Sequence, residues 1–154
     1  MSSSALPSPP TTLLPCSGEP LTAAVAAVAQ LPGLQALLVN CCSPAAVAAA
    51  LPVLRAAAPS TGVLVGGYAN GFQTTTSEWL AGGTSSESIR SLPEEEYDSE
   101  GLILPSAYAQ HAQQWVARGA GIVGGCCGVS PRHIARIAQA LSLATAEAGG
   151  GGEA

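Results

Sequence analysis

At 154 residues the chain has room for one ordinary domain, and an apolar share of 47% supplies enough surface to bury a core. Five Lys plus Arg against ten Asp plus Glu, a net charge of −5, leave no basic surface for a phosphate backbone and exclude nucleic acid as a partner. No apolar run reaches the ~18–20 residues a helix needs to cross a bilayer, so a membrane partner is excluded too and a soluble protein is expected.

Residues 1–15 are rich in Ser, Pro and Thr and carry no charge, which reads as a disordered leader. A secretory signal is absent, because no basic n-region precedes an apolar h-region. The leader lacks the arginines of an organelle transit peptide, the first being Arg55, so a cytoplasmic location is expected with organelle targeting left open. Five cysteines, four of them in adjacent pairs, do not look like a secreted disulfide framework and suit a reducing compartment.

Ser17-Gly18-Glu19-Pro20 opens a helix with Leu21, Ala24, Val25 and Val28 on one face, and Pro32-Gly33 ends it. The apolar run Gln35 to Val39 is too short for a helix and reads as a strand delivering Asn40-Cys41-Cys42. Ser43-Pro44 starts the next helix, Ala45 to about Ala57, with Val47, Leu51 and Leu54 inward and a kink expected at Pro52. A second strand, Gly62 to Gly66, delivers Tyr68-Ala69-Asn70-Gly71 at its carboxyl end. Phe72 to Leu104 is a polar insertion longer than an ordinary connection, its Glu94-Glu95-Glu96 run reading as a solvated loop. A helix from about Ser106 to Arg118 follows, with Tyr108, Ala112 and Trp115 on one stripe and Gly119 as its stop. The third strand, Ala120 to Gly125, reads as buried on both faces, and the helix from Pro131 to about Ala144 turns Ile134, Ile137, Ala138 and Leu141 inward. Residues 16–145 thus form the domain and 146–154 a glycine-rich flexible tail.

An opening helix followed by three β-α units implies a parallel sheet with right-handed crossovers, either doubly wound or part of a (βα)8 barrel. Ligand chemistry in such folds collects at the carboxyl ends of the strands, and two strands here end in thiols: Cys41-Cys42 and Cys126-Cys127. Three thiolates with one open position describe a zinc site whose fourth ligand can be a substrate sulfur, and Cys41, Cys126 and Cys127 suit that role. Gly124, Gly125 and Gly128 let the chain crowd an ion. The alternative on spacing alone is packing thiols or a redox pair. Cys16 and Cys42 read as packing residues, His133 as a surface or capping residue, and His111 as structural. No Ser-His-Asp spacing, phosphate-binding glycine loop or close carboxylate pair stands out.

Ser17-Gly18-Glu19-Pro20-Leu21, Asn40-Cys41, Tyr68-Ala69-Asn70-Gly71, Gln114-Trp115 and Gly124-Gly125-Cys126-Cys127-Gly128, with Pro131 and Ile134, resemble the homocysteine S-methyltransferase family. The resemblance runs from about Cys16 to Leu143, and its double-cysteine motif paired with Asn-Cys is its specific part. It implies a (βα)8 TIM barrel in which Cys41, Cys126 and Cys127 hold Zn2+ and homocysteine sulfur takes the fourth place. It further implies methyl transfer from S-methylmethionine or a related donor to give methionine, with Tyr68 and Asn70 as substrate contacts. Ala69 stands where the family usually has Pro, and Phe72 departs from the small residue often found nearby. A whole barrel needs roughly twice this chain, so the resemblance implies the last three βα units of a truncated homologue. Its open edges then call for a complementing half-barrel or self-association. The competing expectation is a non-catalytic zinc-binding or thiol-redox module.

Overall fold

The computed structural model describes residues 19–58, 62–73 and 94–149, with the side chains of 94 and 143–149 left aside. Cys16, the leader, the middle of the long insertion and the end of the tail lie outside the described residues. In chain order the elements are α1 (Leu21–Val28), β1 (Ala36–Asn40), α2 (Pro44–Ala57), β2 (Leu64–Ala69), a 3-10 turn (Glu94–Glu96), α3 (Pro105–Ala117), β3 (Ile122–Gly125) and α4 (Pro131–Gly149). The fold is α/β. Its three strands lie in the order β1-β2-β3, all parallel, with Leu37 opposite Val65 and Tyr68 opposite Gly124. Both β1 and β3 are edges of this sheet.

Strand alternation assigns the two faces. Leu37, Val65 and Ala69 point toward the helices and join Val47, Leu51, Leu54, Tyr108, Ala112, Trp115 and Ile137 in one buried cluster. On the opposite face lie Leu38, Leu64, Tyr68 and Ile122, with Leu38 and Ile122 both opposite Gly66. That face is open: Leu38 is 37% and Leu64 48% exposed. Burial of β3 on both faces, expected from its continuous apolar run, is therefore corrected: Ile122 and Val123 are only half-buried.

The helices form where their caps and periodicity direct. Ser43 Oγ accepts from Ala46 N–H at 3.2 Å and Pro44 takes the first helical position of α2, while Gly119, at φ 91°, closes α3. Pro52 sits inside α2 on its exposed side. A proline there supplies no N–H to the carbonyl four residues back, and the carbonyl of Ala48 instead accepts from Arg118 Nη1 at 3.2 Å. Two inward faces differ from expectation. In α1, Val28 is exposed and Ala29 is buried in its stead. In α4, Ile134 and Ala138 face solvent, and the inner stripe is His133, Ile137 and Ala140. Each strand begins one or two residues later than read; β1 and β2 also end later, at Asn40 and Ala69, while β3 ends at Gly125 as read, and α4 runs on to Gly149. No described helix is long and apolar enough to cross a membrane.

The far end of the long insertion is ordered. Phe72 bridges Leu102 and Tyr97 bridges Ile103, both antiparallel, so this segment returns beside the carboxyl end of β2. Its Glu96 pairs with His111 at 2.9 Å, and His111 stacks on Trp115. The acidic run is thus a 3-10 turn tied to α3, a correction to the solvated loop, because His111 is the partner α3 presents.

Candidate metal centre

Two strand-to-helix connections carry the thiols. After β1, Cys41 adopts φ 51°, the one positive φ at a non-glycine among the described residues. A left-handed side-chain-bearing residue costs roughly 1–2 kcal/mol, and the turn is held by Cys41 N–H donating to Tyr68 O at 3.1 Å. The reversal separates the adjacent thiols. Cys41 faces the strand ends, whereas Cys42 packs against the core, in keeping with its reading as a packing residue.

After β3 the chain leaves the sheet at Gly125, Cys126 N–H donates to Ala69 O at 2.9 Å, and Val129 N–H turns back to Cys126 O at 3.2 Å. Gly128 takes the left-handed position here, at φ 75°. A Cβ on Gly71 would lie 2.7 Å from Gly128 O, so the β2 end and this loop meet backbone to backbone.

The three sulfurs expected to meet do so. Cys126 and Cys127 Sγ are 3.7 Å apart, Cys41 and Cys127 Sγ are 3.9 Å apart, and all three lie within 4.8 Å of one another. Sulfurs sharing a tetrahedral ion at Zn–S bonds of about 2.3 Å are separated by about 3.8 Å. The cluster therefore matches the spacing of a trithiolate site, half-buried at Cys41 and Cys126 and exposed at Cys127. Burial, with the neighbouring Cys41 and Cys127 thiols, pushes Cys126 up to about 11, so without a cation it holds its proton at neutral pH. A divalent ion reverses that preference, because it stabilises thiolates directly.

Of the other expected site residues, Tyr68 lies on the open sheet face, half-buried and opposite Gly124. Asn70 follows β2, is 1% exposed, and neither its amide nitrogen nor its amide oxygen has a hydrogen-bond partner among the described residues. Such orphaned groups cost about 1–3 kcal/mol each when left unpaired. Of Gly124 and Gly125, read as space for an ion, Gly125 makes room for protein instead. A Cβ at Gly125 would run into Val129, and one at Gly124 would make ordinary contact with Tyr68.

Two buried polar side chains under the site escaped the sequence reading. Tyr108 Oη lies 3.0 Å from Ala69 O and 2.8 Å from Gly124 O, so it joins the ends of β2 and β3 just before Asn70 and Cys126. Burial raises its pKa well above the usual tyrosine range. His133, read as a surface or capping residue, is 6% exposed. Its Nδ1 meets Ser130 N–H at 3.1 Å and Ser130 Oγ at 2.9 Å, and its Nε2 lies 2.7 Å from Ile103 O. The capping half of that reading stands and the surface half is corrected. The available signal was Ser130-x-x-His133 at the N-cap to N3 spacing.

The homocysteine S-methyltransferase family model matches residues 5–141. The chain is also 23% identical over 125 residues to a Zea mays protein named homocysteine S-methyltransferase 4, an alignment covering 81% of this chain and 32% of that relative. It spans about a third of the length of the curated relative it matches.

Proposed function

The chain belongs to the homocysteine S-methyltransferase family, and from that premise we propose that Cys41, Cys126 and Cys127 hold a zinc ion beside which homocysteine is methylated to methionine. S-methylmethionine or a related sulfonium is the donor. The observation that carries the reading is the meeting of three sulfurs from two distant loops at trithiolate spacing. When bound, zinc supplies the positive charge that keeps a neighbouring thiol ionised at neutral pH.

The chain's own groups do the rest. Cys41, Cys126 and Cys127 set the place of the ion, and Tyr108 braces the strand ends beneath it. Tyr68 and Asn70 are the substrate contacts. The unpaired Asn70 amide suits the ammonium and carboxylate of an amino acid, since it offers both a donor and an acceptor. In the transfer, homocysteine sulfur loses its proton to solvent and its lone pair attacks the methyl carbon. A new S–CH3 bond forms as the donor's S–CH3 bond breaks, and the donor leaves as a neutral thioether.

The same premise reads the three parallel β-α units as the last three of a (βα)8 barrel within residues 16–145, flanked by a leader and a tail. The open face of Leu38, Leu64, Tyr68 and Ile122 supports this, because in a closed barrel that face is the packed interior. Strands pairing at β1 and β3 would come from a complementing half-barrel or from a second copy of the chain. A reducing, cytoplasmic setting keeps the thiols available.

The test is metal content and homocysteine response of the purified chain. One zinc per chain is expected, and a cobalt-substituted sample should change its thiolate absorption when homocysteine is added. Methionine formation from S-methylmethionine is expected once the complementing strands are supplied. Failure to bind metal overturns the reading. A non-catalytic zinc-binding or thiol-redox module is the second reading, favoured by the uncovered sheet face, and it predicts metal binding indifferent to homocysteine.

A further inference from the structure

We propose that His133 is a positioning residue for the metal centre, acting on Cys127 through a closed path of three hydrogen bonds; the inference rests on the metal reading above. A carbonyl oxygen accepts and never donates, so the 2.7 Å contact with Ile103 O places the ring proton on Nε2. Nδ1 is then the acceptor for Ser130 N–H, which fixes the ring from the other side. Tyr108 packs edge-on against it with ring centroids 5.8 Å apart. The ring is therefore held on three sides.

From Ile103 the path continues inward. Ile103 N–H donates to Gly71 O at 2.8 Å, and Gly71 N–H donates to Cys127 O at 2.6 Å. Ile103 is itself 1% exposed, so its carbonyl has no water to turn to if the imidazole is withdrawn. The antiparallel bridge between Tyr97 and Ile103 is made by the flanking residues, Asp98 N–H to Leu102 O at 2.8 Å and Leu104 N–H to Glu96 O at 2.7 Å, and these bonds within the returning segment give no hold on α4. His133 is thus the group that fastens the insertion's end to the helix following the cysteines. With it in place, the loop from Cys127 to Ser130 is closed into a ring by Ile103 and Gly71. Removing the Nε2 donor frees Gly71 and Ile103 to shift as a pair, and the Cys127 carbonyl with them. The other cysteine loop is tied differently: Ser43 caps α2 directly, Asn70 N–H donates to Cys42 O at 3.0 Å, and Trp115 Nε1 donates to Pro44 O at 3.2 Å.

Two substitutions separate this role from simple helix capping. In His133→Gln the side-chain amide reaches the place of Nε2 and can still donate to Ile103 O. His133→Asn is shorter, keeps an acceptor for Ser130 and loses Ile103. With cobalt(II) as the probe, competed against a chromophoric chelator, His133→Asn should bind about 10-fold more weakly than the unaltered 154-residue chain, the usual cost of losing an outer partner. His133→Gln should stay within about 3-fold of it, with an unchanged thiolate-to-cobalt spectrum. Equal affinities in both variants, or the reverse order, overturn the proposal. Should His133→Asn fail to fold, nitrogen NMR of the unaltered chain decides: an Nε2–H tautomer is expected, and an Nδ1–H tautomer overturns it. If the unaltered chain binds no cobalt, the metal reading falls by itself. The positioning claim is then judged on the Gly71 amide resonance, which must move in His133→Asn and return in His133→Gln; no movement in either overturns it.

Discussion

The two cysteine loops begin and end alike and do different things. Each leaves a parallel strand, presents adjacent thiols and enters a helix through Ser-Pro: Cys41-Cys42-Ser43-Pro44 in one, Cys126-Cys127-Gly128-Val129-Ser130-Pro131 in the other. The first has no residue between its thiols and its cap, so the left-handed turn falls on Cys41 itself, and Cys42 is turned into the core. In the second, Gly128 takes that turn after the thiols, so both remain beside each other, 3.7 Å apart. Where the left-handed residue sits decides whether a loop contributes one sulfur or two. Helix α3 supports both: Trp115 Nε1 donates to Pro44 O at 3.2 Å, and Tyr108 reaches Gly124 O.

The sharpest way to break this comparison is to remove thiols that differ only in loop position. Cys127→Ala should abolish high-affinity zinc binding, a loss of at least about 100-fold in a chelator competition, because two thiols do not make a structural zinc site. Cys42→Ala should leave that affinity within about 3-fold and lower stability by about 1 kcal/mol in urea unfolding, as for a small packed group. Equal losses of metal would end the asymmetry.

Next in size is Trp115→Ala, which deletes the fully buried ring under the first loop and its hydrogen bond to Pro44 O. A cost of about 3–5 kcal/mol is expected by urea unfolding, and a cost under about 1 kcal/mol would show that α3 is not the common support.

The protons of the cluster sharpen the electrostatic side. Because burial and thiol neighbours push Cys126 up to about 11, an incoming divalent ion must displace its proton at neutral pH. Zinc affinity should therefore climb as pH rises from about 6 to about 8, with measurable proton release in weak buffer. In the metal-free chain the sign runs the other way. Cys126 favours its protonated form more when folded than when unfolded, so its stabilising contribution is complete below about pH 8.5–9 and is lost as pH rises through about 11. A flat zinc affinity between about pH 6 and about pH 8 would contradict the assignment of a protonated Cys126.

Smaller effects test the turns. Gly128→Ala puts a side chain on a left-handed residue and its Cβ 3.2 Å from Leu102, and should cost about 1–2 kcal/mol while weakening zinc binding. Ser43→Ala removes one cap and should cost about 1 kcal/mol with no change in zinc affinity. Both are read by thermal unfolding beside a zinc titration, and the comparison requires that only the first alter the titration.

Local order was largely legible in the chain. Three apolar runs, each followed by a capped amphipathic segment, marked the β-α alternation, and Val47, Leu51, Leu54, Tyr108, Ala112 and Trp115 turned inward as their spacing implied. The misreadings have a shared cause. In α1, Leu-Thr-Ala-Ala-Val-Ala-Ala-Val offers apolar groups on nearly every side, so packing against α2 selected Val25 and Ala29 over Val28. In α4, His133 took an inner position because Ile103 O and Ser130 satisfy both ring nitrogens, and no hydrophobic periodicity registers a partner 30 residues away.

By itself, the sequence determined which residues could be ligands: four thiols, of which Cys42 read as packing, placed where strands end and helices start, a short-range consequence of apolar runs, Ser-Pro caps and glycines. Tertiary structure decided that the other three are neighbours. Cys41 and Cys127 are 86 residues apart and come within 3.9 Å because parallel pairing to β2 puts both strand ends at one level, and the turns at Cys41 and Gly128 aim the sulfurs inward. It also left the Asn70 amide unpaired and one sheet face uncovered, features that depend on what packs against them and that no local spacing encodes.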